Sequence, residues 1–250
     1  MPQRGLVGSR AVVGTRFAIL PPEGIPESTL PGWRAAAARI LAAPALGAGF
    51  VEYLIDLAPQ GGAEQRMPPH VEAFLYAVSG EVVLTLEGRP NRLTAGGFAY
   101  LSPGSSFALG AIEPARLLWL KKVHQPLEGR RPWDVVGSES ALEGEPYLDI
   151  GELLLKKLLP EDIAFDLAVN IFTFPPGFSL PITETHVMEH GLYMLEGQGL
   201  YYLGRDWYEV KRGDFIWMGP YCPQSYYATG SEPSRYIYYK NVHRDIDLPP

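Results

Sequence analysis

At 250 residues the chain has length for one large all-β unit or two domains, and its net charge of −7 argues against a nucleic-acid partner, which needs clustered Lys and Arg. Apolar residues make up 46% and charged residues 20%, ordinary for a soluble globular protein, and no uninterrupted apolar run reaches membrane-spanning length. Cys222 is the only cysteine, so an internal disulfide framework is excluded and a reducing cytoplasm is the expected location.

The N-terminal run MPQRGLVGSRAVVGTRF lacks the apolar core of a signal peptide. Residues 31–47, PGWRAAAARILAAPALG, have helical propensity, yet their short Pro- and Gly-bounded blocks suit strands as well; both readings stand. Further on, EVVLTLEG, FAYLS and RLLWLKKV, and later GLYYLG, DFIWMG and RYIYYKNV, are short runs of alternating or wholly apolar character. Gly, Pro and Asn separate them, which predicts a barrel or sandwich.

These two groups of strands are one unit written twice. At an offset of 117 residues Gly80 falls on Gly197, Gly96 on Gly213 and Pro103 on Pro220. Two residues later in register, PARLLWLKKVH matches PSRYIYYKNVH. A repeat this long predicts two structural units rather than a solenoid, hence tandem antiparallel β-barrels or jelly rolls. The expected layout is an extension over residues 1–45 packed on the barrels, a first barrel over 46–125, a linker over 126–160 and a second barrel over 161–250.

The chemistry concentrates in TETHVMEHG, which puts Glu184, His186 and His190 within seven residues. One carboxylate and two neutral imidazoles suit a divalent ion with positions left open for chemistry. On an extended backbone Glu184 and His186 share a face, as does His190 if the extension persists, whereas on a helix 184 and 186 diverge. Val187 stands where the helical zinc-protease motif needs glutamate, so that class is set aside. Alternation turns Glu189 away, as a solvated or loop charge. In the final strand it puts Tyr236, Tyr238 and Lys240 on one face and Ile237 and Tyr239 on the other.

These residues resemble the cupin family. Its first motif corresponds to Gly177, Glu184, His186, His190 and Gly197, and its second runs from Gly213 through Phe215-Ile216-Trp217-Met218 and Pro220 to Gln224. The resemblance implies a bicupin of two double-stranded β-helix (jelly-roll) barrels, with Glu184, His186, His190 and Gln224 as metal ligands. Glu184 and Gln224 replace the histidines usual at those places. The alternatives are Glu184 as a carboxylate orienting a histidine and Gln224 as a hydrogen-bonding residue facing the site. The first barrel has Met67, Pro69, Ala73 and Phe107 at the corresponding positions, none able to bind a hard cation.

The combination TETHxxEHGxYxLEGQGxY, with Gln224 and a tyrosine- and lysine-bearing last strand, is similar to the bacterial and plant (S)-ureidoglycine aminohydrolases. That resemblance implies a Mn(II) centre releasing ammonia from a small anionic ureide, with Tyr201, Tyr236 and Lys240 at the substrate and Glu184, Tyr236 and Lys240 in the catalytic set. A carboxylate, an amide and two imidazoles also favour Mn(II) chemically, with Fe(II) or another divalent ion as competitor. Lys240 has two readings, a carboxylate anchor or a proton shuttle, and its counterpart Lys121 in the first barrel adds a structural one. Tyr236 has Leu117 as counterpart, so its hydroxyl is specific to the second barrel. His124 and His243 repeat one another and are assigned to the fold, His70 to the surface, and Cys222 to packing. Rival activities are a cupin Fe(II) dioxygenase and a non-catalytic binding cupin. Pairing through exposed strand edges predicts a homo-oligomer.

Overall fold

Glu81–Leu86 alternates in sequence and in space: Val82, Leu84 and Leu86 point inward, and the repeat-related strand Gln198–Leu203 buries Gly199, Tyr201 and Leu203 in the same rhythm. This is seen in the computed structural model, which describes residues 10–241. His243 lies outside the described residues. The strands that follow, Arg89–Thr94 and Asp206–Lys211, keep the 117-residue offset, as do Gly97–Leu101 and Phe215–Met218 within one residue at the start. Gly80 and Gly197 show why glycine recurs. Both have positive φ (76° and 71°), and a Cβ would lie 2.2 Å from Pro114 O and 2.6 Å from Pro233 O, themselves a repeat-related pair.

The first barrel is a ten-stranded sheet wound around the long strand Phe50–Arg66, which pairs with Ala115–Val123 along its first half and with Ser106–Ala111 along its second. The second barrel has two walls. One is an eight-stranded sheet in which Phe215–Met218, His190–Glu196, Ser234–Asn241 and Leu167–Phe174 lie side by side. The other has three strands, Asp206–Lys211, Gln198–Leu203 and Gln224–Thr229. The fold is therefore all-β, two double-stranded β-helix barrels in tandem.

Of the two readings for residues 31–47, the strand holds. Trp33–Ala42 pairs with Phe50–Arg66 and buries Ala38, Leu41 and Ala42, and only Pro44–Leu46 forms a 3₁₀ turn. Alanine favours helix, but a segment this short between prolines gains too little from helix formation alone, and sheet pairing prevails. Upstream, Val12–Val13 and Phe17–Leu20 form a hairpin whose second strand pairs with Phe215–Met218 of the second barrel. Within 126–160, Val135–Ser138 pairs with Gly97–Leu101 of the first barrel, while the hairpin Glu145–Tyr147/Ile150–Lys157 joins the second through Leu167–Phe174. Among the described residues no helix is long and apolar enough to cross a membrane.

Each barrel has its own apolar core, and a third cluster joins them through aromatics: Phe50, Tyr100, Phe165, Trp217 and Tyr239. Two polar features are buried at this junction. Glu72, Lys122 and Asp166 form an ion-pair group with His124, described below. Glu52 is 5% exposed and its Oε2 has no hydrogen-bond partner, so burial pushes its carboxyl up to about 8. Because the folded value lies above the unfolded one, stability from this group is fully present below the ordinary carboxylate range and is lost as pH rises through about 8. Glu52→Gln, which cannot ionise, is expected to match wild type in urea midpoint near pH 5 and exceed it increasingly up to pH 8–9. A midpoint difference independent of pH would exclude an ionising Glu52.

Candidate metal centre

Glu184 and Gln224 are 40 residues apart, yet each donates its backbone N–H to the other's carbonyl, at 2.8 and 2.9 Å. Directly opposed residues in an antiparallel bridge present their side chains to one face, so carboxylate and amide project together. His186 follows on the same segment, its carbonyl held by Tyr221 N at 2.7 Å. His190 opens the strand His190–Glu196, beside Lys240 in the neighbouring strand.

The two imidazoles are fixed by their outer nitrogens. His186 Nδ1 lies 3.1 Å from Met188 O, and His190 Nδ1 lies 3.1 Å from Tyr239 O. A carbonyl only accepts, so each Nδ1 carries the proton and each Nε2 a lone pair. The Nε2 atoms face one another at 3.2 Å, with the rings 87° apart. Burial, followed by the neighbouring His186, holds His190 down to about 3, so it stays neutral. Two lone pairs at this distance repel unless a cation lies between them, and that is the donor set a divalent ion requires. The Gln224 amide lies 3.0 Å from His186 Nε2, and turning the amide about its axis presents oxygen in place of nitrogen. The residues present therefore fit a divalent metal.

The cavity in front of these groups measures about 220 Å³, below the ~300 Å³ where drug-sized sites begin, and so admits only a small molecule. Tyr201, Tyr236, Tyr238 and Lys240 line it as well. Alternation along the last strand holds as expected: Ile237 and Tyr239 face the inter-barrel core. Tyr201 and Tyr236 are buried with their ring centroids 6.2 Å apart, and burial drives both phenols well above their usual range. They act as neutral donors rather than as bases.

Two residues at the site, Tyr147 and Asn170, were not foreseen from sequence. Tyr147 donates to Glu184 Oε1 at 2.6 Å. Asn170 Nδ2 donates to the Tyr238 hydroxyl at 3.1 Å, and that ring lies edge-on to His190 at 5.4 Å. Tyr238 could be found by alternation; nothing in EPYLDI marked Tyr147. One expectation is corrected. Glu189 is not solvated but buried, accepting from Gly49 N at 3.0 and 3.1 Å and from Trp217 Nε1 at 3.4 Å. It turns away from the metal face, as alternation requires, but that other side is the first barrel rather than water. Gly49 permits this, since a Cβ there would sit 2.6 Å from Glu189 Oε1.

In the first barrel, Ala73 lies beside Lys121 as His190 lies beside Lys240. Met67, Ala73 and Phe107 are packed into that barrel's apolar core and Pro69 is exposed. His70 is exposed, and Cys222 is buried with its thiol pushed up by desolvation, consistent with packing. Among the described residues, one group of Asp, Glu and His brings its ligand atoms within 4.8 Å of one another: Glu72, His124 and Asp166. That group could hold a metal ion. However, Lys122 Nζ already lies 3.1 Å from Glu72 and 2.7 Å from Asp166, and His124 Nδ1 lies 3.1 Å from both. An ammonium thus supplies the positive charge there, and His124 serves the junction of the barrels.

Two β-helical barrels with imidazoles converging inside one of them define a cupin, and residues 170–239 match the family described as "Cupin domain". The chain is 40% identical over 248 residues to the (S)-ureidoglycine aminohydrolase of Escherichia coli, covering 97% of this chain and 95% of that protein. The Arabidopsis thaliana (S)-ureidoglycine aminohydrolase is 36% identical over 241 residues, 95% of this chain and 79% of the relative. The crystal structure of protein Ylba from E. coli superposes with a TM-score of 0.88 at 38% identity, covering 98% of this chain and 99% of that one. The chain belongs to the (S)-ureidoglycine aminohydrolase family.

Proposed function

We propose that the chain hydrolyses (S)-ureidoglycine to (S)-ureidoglycolate and ammonia in ureide breakdown, using a divalent ion held by Glu184, His186, His190 and Gln224. The carrying observation is the pair of Nε2 lone pairs 3.2 Å apart beside Glu184 and Gln224, in a small cavity of a chain from this family. The ion, Mn(II) with Fe(II) as competitor, supplies Lewis acidity and acidifies water. In the overall reaction water gives its oxygen to the carbon bearing the amine, the carbon–nitrogen bond breaks, and the nitrogen leaves with water's proton as ammonia.

The chain's own residues bind and orient. Lys240 pairs with the substrate carboxylate from the cavity wall, and Tyr201 and Tyr236 donate hydrogen bonds as neutral phenols. Glu184, in the cavity lining beside the two imidazoles, is the residue suited to accept and return a proton. The first barrel has no metal role in this reading; it covers the metal segment through Gly49 and Glu189. A lone buried cysteine suits a cytoplasmic setting. Among the described residues the eight-stranded sheet ends at Val12–Val13 and Glu145–Tyr147, and such edge strands suit assembly with further copies.

Anaerobic incubation of the Mn(II)-loaded protein with (S)-ureidoglycine tests the activity, with ammonia as readout. Stoichiometric ammonia without oxygen is expected. A product formed only with oxygen would make this a dioxygenase, and substrate retention without turnover would make it a binding cupin.

A further inference from the structure

Tyr147 lies in the stretch between the barrels, at the outer edge of the eight-stranded sheet, yet its hydroxyl reaches the carboxylate of the metal segment 37 positions downstream. Local structure is bent to bring it there. The ladder between Glu145–Tyr147 and Ile150–Lys157 shifts register between Pro146 and Tyr147. The two turn residues that follow, Leu148 and Asp149, both have left-handed backbones, φ 52° and 62°. This is the twist a two-residue hairpin turn requires, but Asn-Gly usually provides it, and leucine in that conformation is strained by its Cβ. Strain of this kind persists where the surroundings enforce it and is concentrated at functional sites.

The ring is fixed as firmly as the backbone. It stands edge-on to Phe172 at 4.9 Å and 89°, and Phe172 stacks in turn on Tyr238 at 5.6 Å and 11°.

We propose that Tyr147 is a positioning residue for Glu184: by occupying Oε1, it leaves Oε2 as the oxygen available to the cation and holds the carboxylate in one rotamer. This assignment rests on the metal reading above. It makes the inter-barrel hairpin a part of the active site, through one hydrogen bond to a ligand. An outer partner of a metal ligand contributes about 10- to 100-fold in metal affinity or activity.

Tyr147→Phe removes the hydroxyl and keeps the ring on Phe172. Calorimetric titration of the metal-free protein with Mn(II) is expected to show Kd weakened about tenfold, with the thermal midpoint of the metal-free protein unchanged. At saturating Mn(II), kcat is expected to fall while KM holds. In a Glu184→Ala background, which offers no acceptor, adding Tyr147→Phe is expected to leave Kd where Glu184→Ala alone puts it. Equal loss in both backgrounds would reduce Tyr147 to a packing residue and overturn the assignment. So would an unchanged Kd in Tyr147→Phe, provided His190→Ala abolishes binding. If His190→Ala leaves Mn(II) binding intact, the metal reading itself fails and the assignment with it.

Discussion

Lys240→Met is expected to lower kcat/KM by about 10²–10³-fold while metal content stays at the wild-type level. Methionine keeps the apolar stem and most of the length but removes the ammonium that Lys240 brings to the lining of the cavity beside His186 and His190. Breaking a desolvated charge pair with a ligand typically costs about 2–5 kcal/mol, and each ~1.4 kcal/mol is tenfold. The division between constants separates the two roles of this lysine. A carboxylate anchor raises KM most strongly, whereas a proton shuttle lowers kcat and flattens one limb of the pH–rate profile. Loss of metal in the variant would move Lys240 from the substrate side to the metal side, against the assignment. The related Lys121 in the inert barrel sits over the Tyr53 ring, so a strand-end role for such a lysine exists in this chain, and metal retention distinguishes the two.

The second large effect is expected at His190. His190→Ala should abolish stoichiometric Mn(II) binding and reduce turnover by about 10⁴-fold, the several kcal/mol that a metal ion contributes to activating water. Collapse of the fold is not expected to explain the loss. Alanine already occupies the related position in the first barrel, where Ala73 is fully buried between the repeat-related strands Ala115–Val123 and Gly97–Leu101. Unchanged near-ultraviolet circular dichroism of His190→Ala, together with lost metal, is the expected combination. Retained metal would contradict His190 as a ligand.

The parts of this molecule that sequence made legible share a physical basis. Glycines at 80 and 197 are required by left-handed turns that press against Pro114 and Pro233, so the repeat was written in residues that nothing else can replace. Strand alternation was equally readable: Tyr236, Tyr238 and Lys240 share a face because the pleat has a period of two. The imidazoles lay close in sequence, and the fold only had to aim them.

What stayed hidden depends on distant partners. Glu189 is polar and adjacent to a turn, and its burial follows from Gly49, 140 positions away on the other barrel. Tyr147 lies in a segment broken by Pro and Gly, where short edge strands leave no periodic signal, and its importance arises only from contact with Glu184. The alanine-rich strand Trp33–Ala42 carried a helical preference that pairing with Phe50–Arg66 overrode. The junction group of Glu72, Lys122, His124 and Asp166 draws its last member from the second barrel, so no local pattern could announce it.

Among the described residues, carboxylate and imidazole come together beside Glu184 and His186 and again at Glu72, His124 and Asp166. The most direct measurement is the anomalous scattering of manganese in crystals of the full chain grown with Mn(II). The expected result is one strong peak per chain, bounded by Glu184, His186, His190 and Gln224. A peak at Glu72, His124 and Asp166 with none beside His186, or no bound manganese at all, would contradict it.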